Sequence, residues 1–371
     1  MSFIPLSFGV EIELLLGHKA GTPPFPSWDN LAATLSRLLG RAGVRNHVAK
    51  RNVPETYREW CLMREVTIPD DPVRSLYGIE LVSPVYDAGG NQWVADVETI
   101  FALLDAHNIQ VYQSDKCSTH VHLSTYPHPL TETAAMHLAE AVLYYEAALD
   151  ALMPAHRQTA TAAGTASYWC QSNRASHLFA GIETAPPQID NIEDYVLFCR
   201  AEHKAGRAVP LSNADHEIPL DTCLDIVRAC HDMSAFSMDQ AMNWMAAGSL
   251  YGRTRRMATD FVRGKVYKWN FESLYRRSSK TKTKTANAPH KDGTVEFRLP
   301  PGSVCATDVG LWVSLAATFV AGVLVLQGRQ ISSPAGNGAT LGELKLLLEE
   351  GQQALGWQDL GLLQDVLKSV Q

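Results

Sequence analysis

The stretch that most constrains the fold is residues 8–14, whose sequence FGVEIEL alternates between apolar and polar positions. Read with a period of two, the apolar side chains fall on one side and Glu11 and Glu13 on the other. Two carboxylates this close ionise cheaply only when a cation or a strong donor lies between them. Alone, the stretch would fit a pair of solvated surface glutamates equally well.

Three later stretches repeat this pattern, each with ionisable side chains on one face and aliphatic ones on the other. They are residues 77–84 with Glu80, residues 118–124 with His120 and His122, and residues 294–300 with Glu296 and Arg298. The simplest arrangement is one antiparallel sheet in an α+β fold, with helices on its apolar face. We expect its charged face to be open to solvent and to form a site.

Composition narrows the class of protein. The chain has 371 residues, 46% of them hydrophobic and 19% charged, which is typical of a globular protein. A net charge of −7 argues against nucleic acid as a partner. Seven cysteines without a CxxC pair, and no apparent signal peptide, predict a cytoplasmic location. The apolar run at residues 311–326 is short for a membrane span and predicts a buried helix.

Periodicity also predicts further helices and strands. Helices are expected at residues 30–39, 92–106, 131–153, 192–205 and 220–233, and strands at residues 59–68 and 266–271. The basic segment at residues 276–285 has no core-facing position. It is either a solvated loop or a cationic lid over phosphates, because it leads towards the strand that carries Glu296.

The polar face offers ligands in which carboxylates predominate. Such oxygen-rich sites favour Mg²⁺ or Mn²⁺, with phosphates of a nucleotide as further ligands. The fixed charge of Arg298 suits a phosphoryl group. The sequence has no P-loop, no GxGxxG after a strand, no HExxH and no GxSxG. Phosphate binding would therefore depend on metal ions and cationic side chains.

At these residues the chain resembles the amidoligase family, within a superfamily that includes glutamine synthetase and glutamate–cysteine ligases. The matching motifs run in the family's order over residues 6–330. They are FGVEIE (8–13), the tryptophan strand with Trp60 and Glu65, GIELVSP (78–84), STHVHLS (118–124), YYEAALDALMPAHR (144–157), YWCQSN (168–173), YKWNF (267–271) and VEFRLPPGS (295–303). One departure is Glu65 with Thr67, where an aspartate and a serine are expected, so the role of that strand is open.

The resemblance implies a curved antiparallel sheet flanked by helices, the catalytic fold of glutamine synthetase and the guanido kinases, with ATP and Mg²⁺ on its concave face. The catalytic domain would span residues 1–330, with a helical insertion at about 131–262, and residues 331–371 would form a helical tail packed on it. The implied metal ligands are Glu11, Glu13, Glu80, His122 and Glu296. The implied catalytic residues are His120 and Arg298. The implied nucleotide contacts are Arg298, Lys268, Asn270 and Arg276.

The expected function is an ATP-dependent ligation of a small-molecule or peptide carboxylate to an amine through an acyl phosphate. Whether the protein is a homo-oligomer is left open. Three rivals remain: a zinc hydrolase using His120 and His122, a phosphotransferase to a nitrogen acceptor, and a nucleotide-binding protein without activity. Glu146 and Arg157 are interpreted as a helix-end ion pair or as substrate contacts. Asn173 and Asn270 would satisfy backbone groups near the site or contact the substrate.

Overall fold

The computed structural model describes most of the chain. The described residues are 3–50, 53, 56–158, 169–175, 219–231, 245, 265–274, 293–327, 331, 338–358 and 361–369. The predicted helix at 192–205 and the basic segment at 276–285, which includes the predicted nucleotide contact Arg276, lie outside them.

Nine strands of the described residues form one sheet. They are β1 (Leu6–His18), β2 (Asn46–Val48), β3 (Trp60–Arg64), β4 (Tyr77–Val82), β5 (Tyr86–Asp87), β6 (Ile109–Tyr112), β7 (Thr119–Thr125), β8 (Trp269–Asn270) and β9 (Val295–Phe297). The strand order is β2-β3-β4-β1-β7-β9-β8, and β5 and β6 also pair with β1. The long strand β1, which contains the alternating stretch, is therefore the centre of the sheet.

Of the strand pairs in the described residues, only that of β2 with β3 is parallel, and all the others are antiparallel. The prediction of a wholly antiparallel sheet is wrong at this edge. The register places Asn46 opposite Trp60 and Val48 opposite Leu62, so β2 and β3 run in the same direction. The prediction of a mixed α+β fold, with a large open sheet flanked by helices, is confirmed.

Helices cover the apolar side of the sheet. They are α1 (Trp28–Arg41), α2 (Gln92–Ala106), α3 (Glu132–Asp150), α4 (Leu220–His231), α5 (Ala306–Val325), α6 (Leu341–Leu355) and α7 (Leu362–Ser369). The predicted helices at 30–39, 92–106, 131–153 and 220–233 thus match within a few residues. Short 3₁₀ helices follow α3 at Ala155–Arg157 and precede β9 at Glu272–Leu274. The division into a catalytic domain and a tail stays a prediction.

Helix α5 contains the apolar run and lies between the sheet and α6. It is long and apolar enough to cross a membrane, but 67% of that stretch is buried inside the protein. Helix α6 approaches it closely, because a Cβ at Gly351 would overlap the carbonyl of Thr318 and one at Gly322 would overlap that of Leu347. Close glycine contacts of this kind let two helix backbones pack together. The prediction of a buried helix is confirmed.

Candidate active site

The sheet register brings the predicted ligands together on the polar face. Each lies on β1, β4, β7 or β9 and is directly opposite another across a strand pair. The opposed pairs are Glu13 with Glu80, Glu11 with His120, and His122 with Glu296. Opposed residues in a sheet have Cβ atoms about 5 Å apart, and like charges in this position repel. The pairing of Glu13 with Glu80 therefore calls for a positive group between them.

Carboxylate and imidazole ligands converge into three groups, in each of which the ligand atoms lie within 4.8 Å of one another. The groups are Glu11, His122 and Glu296; Glu11, Glu80 and His120; and Glu13, Glu65 and Glu80. All five predicted metal ligands belong to them. We call the five glutamates of these groups the acidic cluster, namely Glu11, Glu13, Glu65, Glu80 and Glu296. Because Glu11 and Glu80 each belong to two groups, neighbouring cations could share them.

Glu65 is the ligand that the sequence did not assign. It directly follows β3, which pairs with β4 so that Met63 is opposite Glu80. Its Oε1 accepts a hydrogen bond from the backbone N–H of Thr67 at 2.6 Å, which fixes the start of the turn after the strand. The resemblance pointed to this residue as a departure from the family's pattern. A glutamate retains the carboxylate of the expected aspartate on a longer side chain.

The two histidines contact different oxygens of Glu11. His122 Nε2 lies 3.1 Å from Glu11 Oε1, and His120 Nδ1 lies 3.3 Å from Glu11 Oε2. Nε2 of His122 is buried and also lies 3.7 Å from Oε1 of Glu296. An imidazole nitrogen that faces two carboxylates could join them in holding a cation. Among the described residues, no ligand group contains both imidazoles.

Arg298 provides the positive charge of the site. Its Nη1 donates to Oε1 of Glu296 and lies 3.4 Å from Nδ1 of His120. Asn270 donates from Nδ2 to the other oxygen, Oε2 of Glu296, at 2.7 Å and accepts from the N–H of Glu272. The Nε–H of Arg298 is buried and has no partner in the described part of the chain. Such a donor is expensive to leave unpaired, so it fits an oxygen of an anionic ligand.

Crowding raises the pKa of two carboxyl groups. Burial and the charge of Glu65 raise the pKa of Glu13 to about 8. Burial, followed by the charges of Glu11, Glu65 and Glu13, raises the pKa of Glu80 well above its usual range. Glu13 would therefore take up a proton at neutral pH, and both groups hold protons more strongly than a free carboxyl group in the absence of another positive charge. A divalent cation could supply that charge, and the oxygen-rich set of donors fits Mg²⁺ or Mn²⁺.

The pKa values of the other groups reflect paired charges. Burial alone would raise the pKa of Glu11 and Glu296, but His122 holds that of Glu11 well below its usual range, and Arg298 lowers that of Glu296 to about 2. Burial and the charge of Arg298 lower the pKa of His120 to about 4. Burial opposes ionisation of His122, yet Glu11 and Glu296 raise its pKa. The site thus divides into a charge-paired half and a half with surplus carboxylates.

The site is more enclosed than the sequence indicated. Glu13 is 7% exposed and His120 only 2%. The expectation of a solvent-accessible face is wrong at these two residues. Oε2 of Glu13 accepts a hydrogen bond from the N–H of Ser118 at 2.8 Å, and the ring of His120 is surrounded by Glu11, Glu296 and Arg298. Burial strengthens each charge–charge interaction of the site.

Lys268, a predicted nucleotide contact, lies in a separate buried cluster. Its Nζ donates to both carboxylate oxygens of Asp150, each at 2.6 Å, and lies 3.6 Å from Oε1 of Glu146. Ser172 donates to the other oxygen of Glu146 at 2.9 Å. We call these four residues, Lys268, Asp150, Glu146 and Ser172, the lysine cluster. Lys268 is completely buried, so its contact with a nucleotide stays a prediction.

The structure contradicts the expected ion pair of Glu146 with Arg157 and confirms the expected role of Asn173. Glu146 and Arg157 do not form the expected helix-end ion pair, since Glu146 belongs to the lysine cluster and Arg157 donates to the carbonyls of Arg298 and Leu299. Asn173 does satisfy backbone groups, because it bonds to both the N–H and the carbonyl of Trp269, at 3.2 and 2.8 Å. It therefore acts as a substitute for a neighbouring strand.

A comparison with protein-family models supports the resemblance seen in the motifs. The model described as "Putative amidoligase enzyme" matches residues 5–320, which includes every strand of the sheet. The chain belongs to the amidoligase family. This membership indicates a ligase-type enzyme that forms C–N bonds. A search of curated proteins finds no match to the chain.

Proposed function

We propose that this amidoligase is an ATP- and Mg²⁺-dependent carboxylate–amine ligase that forms an amide through an acyl phosphate. The observation that carries the proposal is the acidic cluster, whose ligand groups share Glu11 and Glu80, beside the buried guanidinium of Arg298. Carboxylates in this number suit Mg²⁺ or Mn²⁺, and a guanidinium suits a phosphoryl group. Together they match the needs of phosphoryl transfer from a nucleotide.

Different residues of the site would bind the metal ions and the phosphoryl group. The acidic cluster, His120 and His122 would hold the divalent ions. When bound, Mg²⁺ supplies positive charge that stabilises the phosphoryl group during its transfer. Arg298 would donate to phosphoryl oxygens from its unpartnered Nε–H, while its bond to Glu296 fixes the guanidinium plane. Asn270 would fix Glu296 from the opposite side.

The proposed reaction has two steps, phosphoryl transfer to the acid and displacement of the phosphate by the amine. An oxygen of the acid substrate attacks the γ-phosphorus of ATP, and the bond from that phosphorus to ADP breaks, which leaves an acyl phosphate. The nitrogen of the amine then attacks the acyl carbon, the bond to the phosphate oxygen breaks, and the nitrogen loses a proton. Activation of this kind is needed because a free carboxylate is a poor electrophile. Arg298 would contact the transferred group in both steps.

The rival activities receive less support. A zinc hydrolase based on the HxH pair would need both imidazoles on one ion, but each ligand group of the described residues contains at most one. A phosphotransferase to a nitrogen acceptor would use the same cluster, so only the product separates it from a ligase. The same proposal includes the catalytic fold of glutamine synthetase, a cytoplasmic location, and a carboxylate and an amine as the substrates.

A screen for ADP release tests the proposal. The protein is incubated with ATP and Mg²⁺ and with pools of amino acids, small acids, peptides and amines, and products of active pools are identified by mass spectrometry. We expect ADP release that needs both an acid and an amine, with an amide as the product. A phosphorylated amine without an amide would instead identify a phosphotransferase, and release of ADP in no pool would contradict both.

A matched pair of variants ties that activity to the site. Arg298→Lys keeps one positive charge but cannot reproduce the planar fork of the guanidinium. We expect it to lose at least about a hundredfold in ADP release, the effect typical of a lost donor to a developing negative charge. Arg228→Lys is the control, because Arg228 is an arginine of α4 that contacts Glu140 of α3 and no residue of the acidic cluster in the described part of the chain. Equal activity of the two variants would contradict the role of Arg298.

A further inference from the structure

The backbone that carries Arg298 lies just beyond the regular ladder. Strand β9 ends at Phe297, and Pro300 and Pro301 follow closely. Prolines have no N–H group, so the segment cannot continue a strand pairing in the usual way. The N–H of Arg298 still donates to the carbonyl of Lys268 at 2.8 Å. Its carbonyl needs a donor from elsewhere in the protein.

Arg157 provides that donor. Its Nη2 donates to the carbonyl of Arg298 and its Nε donates to the carbonyl of Leu299 at 2.9 Å. A planar guanidinium with two parallel donors holds two successive carbonyls in one orientation. Arg157 is the last residue of the 3₁₀ helix Ala155–Arg157, which follows α3 and begins after Pro154. It therefore links the chain that follows α3 to the segment that follows β9.

The environment of Arg157 is unusual for a buried cation. The side chain is 1% exposed, and no carboxylate oxygen of the described residues lies within 4 Å of it. By contrast, the equally buried Lys268 is paired with Asp150. A buried charge is costly unless it is compensated. Two carbonyl groups accept hydrogen bonds from Arg157, and the carboxylate of Glu13 interacts with its charge over a longer distance. These interactions replace a direct ion pair, and the two hydrogen bonds fix the orientation of both carbonyls.

We propose that Arg157 is a positioning residue that fixes the backbone of Arg298 so that its guanidinium meets Glu296 and the transferred phosphoryl group. The inference rests on the proposed function, because it needs Arg298 to contact that group. Arg157 is itself too buried to touch the substrate. Its effect on the reaction must therefore pass through Arg298, which makes the two residues energetically coupled.

A double-mutant cycle tests this coupling. The variants are Arg157→Lys, Arg298→Lys and the two combined, and the probe is ATP with Mg²⁺, whose binding is measured by calorimetry on the full chain. Arg157→Lys retains the charge and removes the second parallel donor. We expect it to weaken ATP binding about tenfold, the size of one hydrogen bond to a charged group. In the Arg298→Lys background the same change should have almost no effect.

The control for the cycle is Arg228→Lys, which also removes a guanidinium that donates to a backbone carbonyl, that of Ile331. We expect its effect to be small and additive with that of Arg298→Lys. Additive effects of Arg157→Lys and Arg298→Lys would overturn the positioning role while leaving the proposed function intact. If Arg298→Lys itself binds ATP and releases ADP like the unaltered protein, the proposed function fails, and the inference fails with it.

A measurement on the unaltered protein covers the case in which Arg157→Lys does not fold. Nuclear magnetic resonance of ¹⁵N-labelled arginine resolves the Nε–H groups. We expect that of Arg157, bonded to Leu299, to exchange slowly with water with or without ATP. The Nε–H of Arg298 should exchange slowly only when ATP and Mg²⁺ are present. Rapid exchange at Arg157 would overturn the proposal.

Discussion

Two regions of the protein contain largely buried charged side chains, and they are built in opposite ways. In the lysine cluster, the carboxylates of Asp150 and Glu146 face the Nζ of Lys268. In the acidic cluster, Glu13 and Glu80 face each other and Glu65 instead. The first region has a counter-charge in direct contact, whereas Glu13, Glu65 and Glu80 form a group of carboxylates with no cation among them. From this difference we expect the lysine cluster to stabilise the fold and the acidic cluster to bind a cation.

The largest effect is expected in the lysine cluster. Lys268→Met removes a buried cation whose Nζ contacts the carboxylates of both Asp150 and Glu146. The free energy of unfolding should fall by about 3–5 kcal/mol, as it does when one partner of a buried ion pair is removed. Urea denaturation followed by circular dichroism measures the change. A loss well below this range would show that Lys268 is not needed for folding. It would then favour the predicted contact between Lys268 and the nucleotide.

The next-largest change in the free energy of unfolding is expected when Mg²⁺ binds. Addition of Mg²⁺ to chelator-treated protein should raise the free energy of unfolding by about 2.7 kcal/mol when free Mg²⁺ reaches a hundred times its dissociation constant. Glu80→Gln should lose most of this gain, because Glu80 belongs to two ligand groups. Thermal denaturation with and without Mg²⁺ measures it. The same gain in Glu80→Gln as in the unaltered protein would place the ion elsewhere.

A smaller effect concerns pH in the absence of metal. Because the pKa of Glu13 is raised to about 8 in the folded protein, its protonated form stabilises the fold at low pH. This contribution is lost as the pH rises from about 4.5 towards about 8. Glu13→Gln, which stays neutral, should therefore be more stable than the unaltered protein at pH 9 by at least about 1 kcal/mol.

Melting curves of chelator-treated protein at pH 5 and pH 9 test this, and the advantage of Glu13→Gln should be present at pH 9 and nearly absent at pH 5. A variant that is less stable at both values would identify Glu13 as a structural residue. Activity should be lost in the same variant, since an amide is a weak ligand for Mg²⁺.

The smallest effect is expected at a region outside both clusters. Thr340 caps α6, where its hydroxyl accepts from the N–H of Glu343 and the Glu343 carboxylate accepts from the N–H of Thr340. Thr340→Ala should lower the free energy of unfolding by about 1 kcal/mol, as is typical of a lost N-cap. The gain from Mg²⁺ should be unchanged. A reduced gain would mean that α6 is coupled to the site.

Much of the sheet could be predicted because its strands have two unlike faces. The alternation around Glu11, Glu80, His120 and Glu296 predicts β1, β4, β7 and β9, and the pairing of these strands then brings the ligands together. Strands β2 and β5 have three and two residues. β9 is equally short, but it lies within the longer alternating stretch at residues 294–300, whereas β2 and β5 lie in no such stretch. Alternation therefore does not reveal β2 and β5, and it gives no information about the parallel direction of β2.

Parts of the site depend on contacts that leave no pattern in the sequence. Glu65 lies one residue beyond β3, so its place in the acidic cluster depends on a turn rather than on alternation. The interaction of Arg157 with the carbonyls of Arg298 and Leu299 involves backbone atoms that every residue has. Lys268 was expected to be a cation near the nucleotide, but its partner Asp150 is 118 positions away in the chain.

Direct titration with Mn²⁺, followed by electron paramagnetic resonance, is the most decisive measurement of whether the acidic cluster binds divalent ions beside Arg298. We expect the full chain to bind at least two Mn²⁺ ions, Mg²⁺ to displace them, and Glu80→Gln to bind fewer ions. Absence of Mn²⁺ binding, or binding that Glu80→Gln leaves unchanged, would contradict the assignment of the acidic cluster as the metal site.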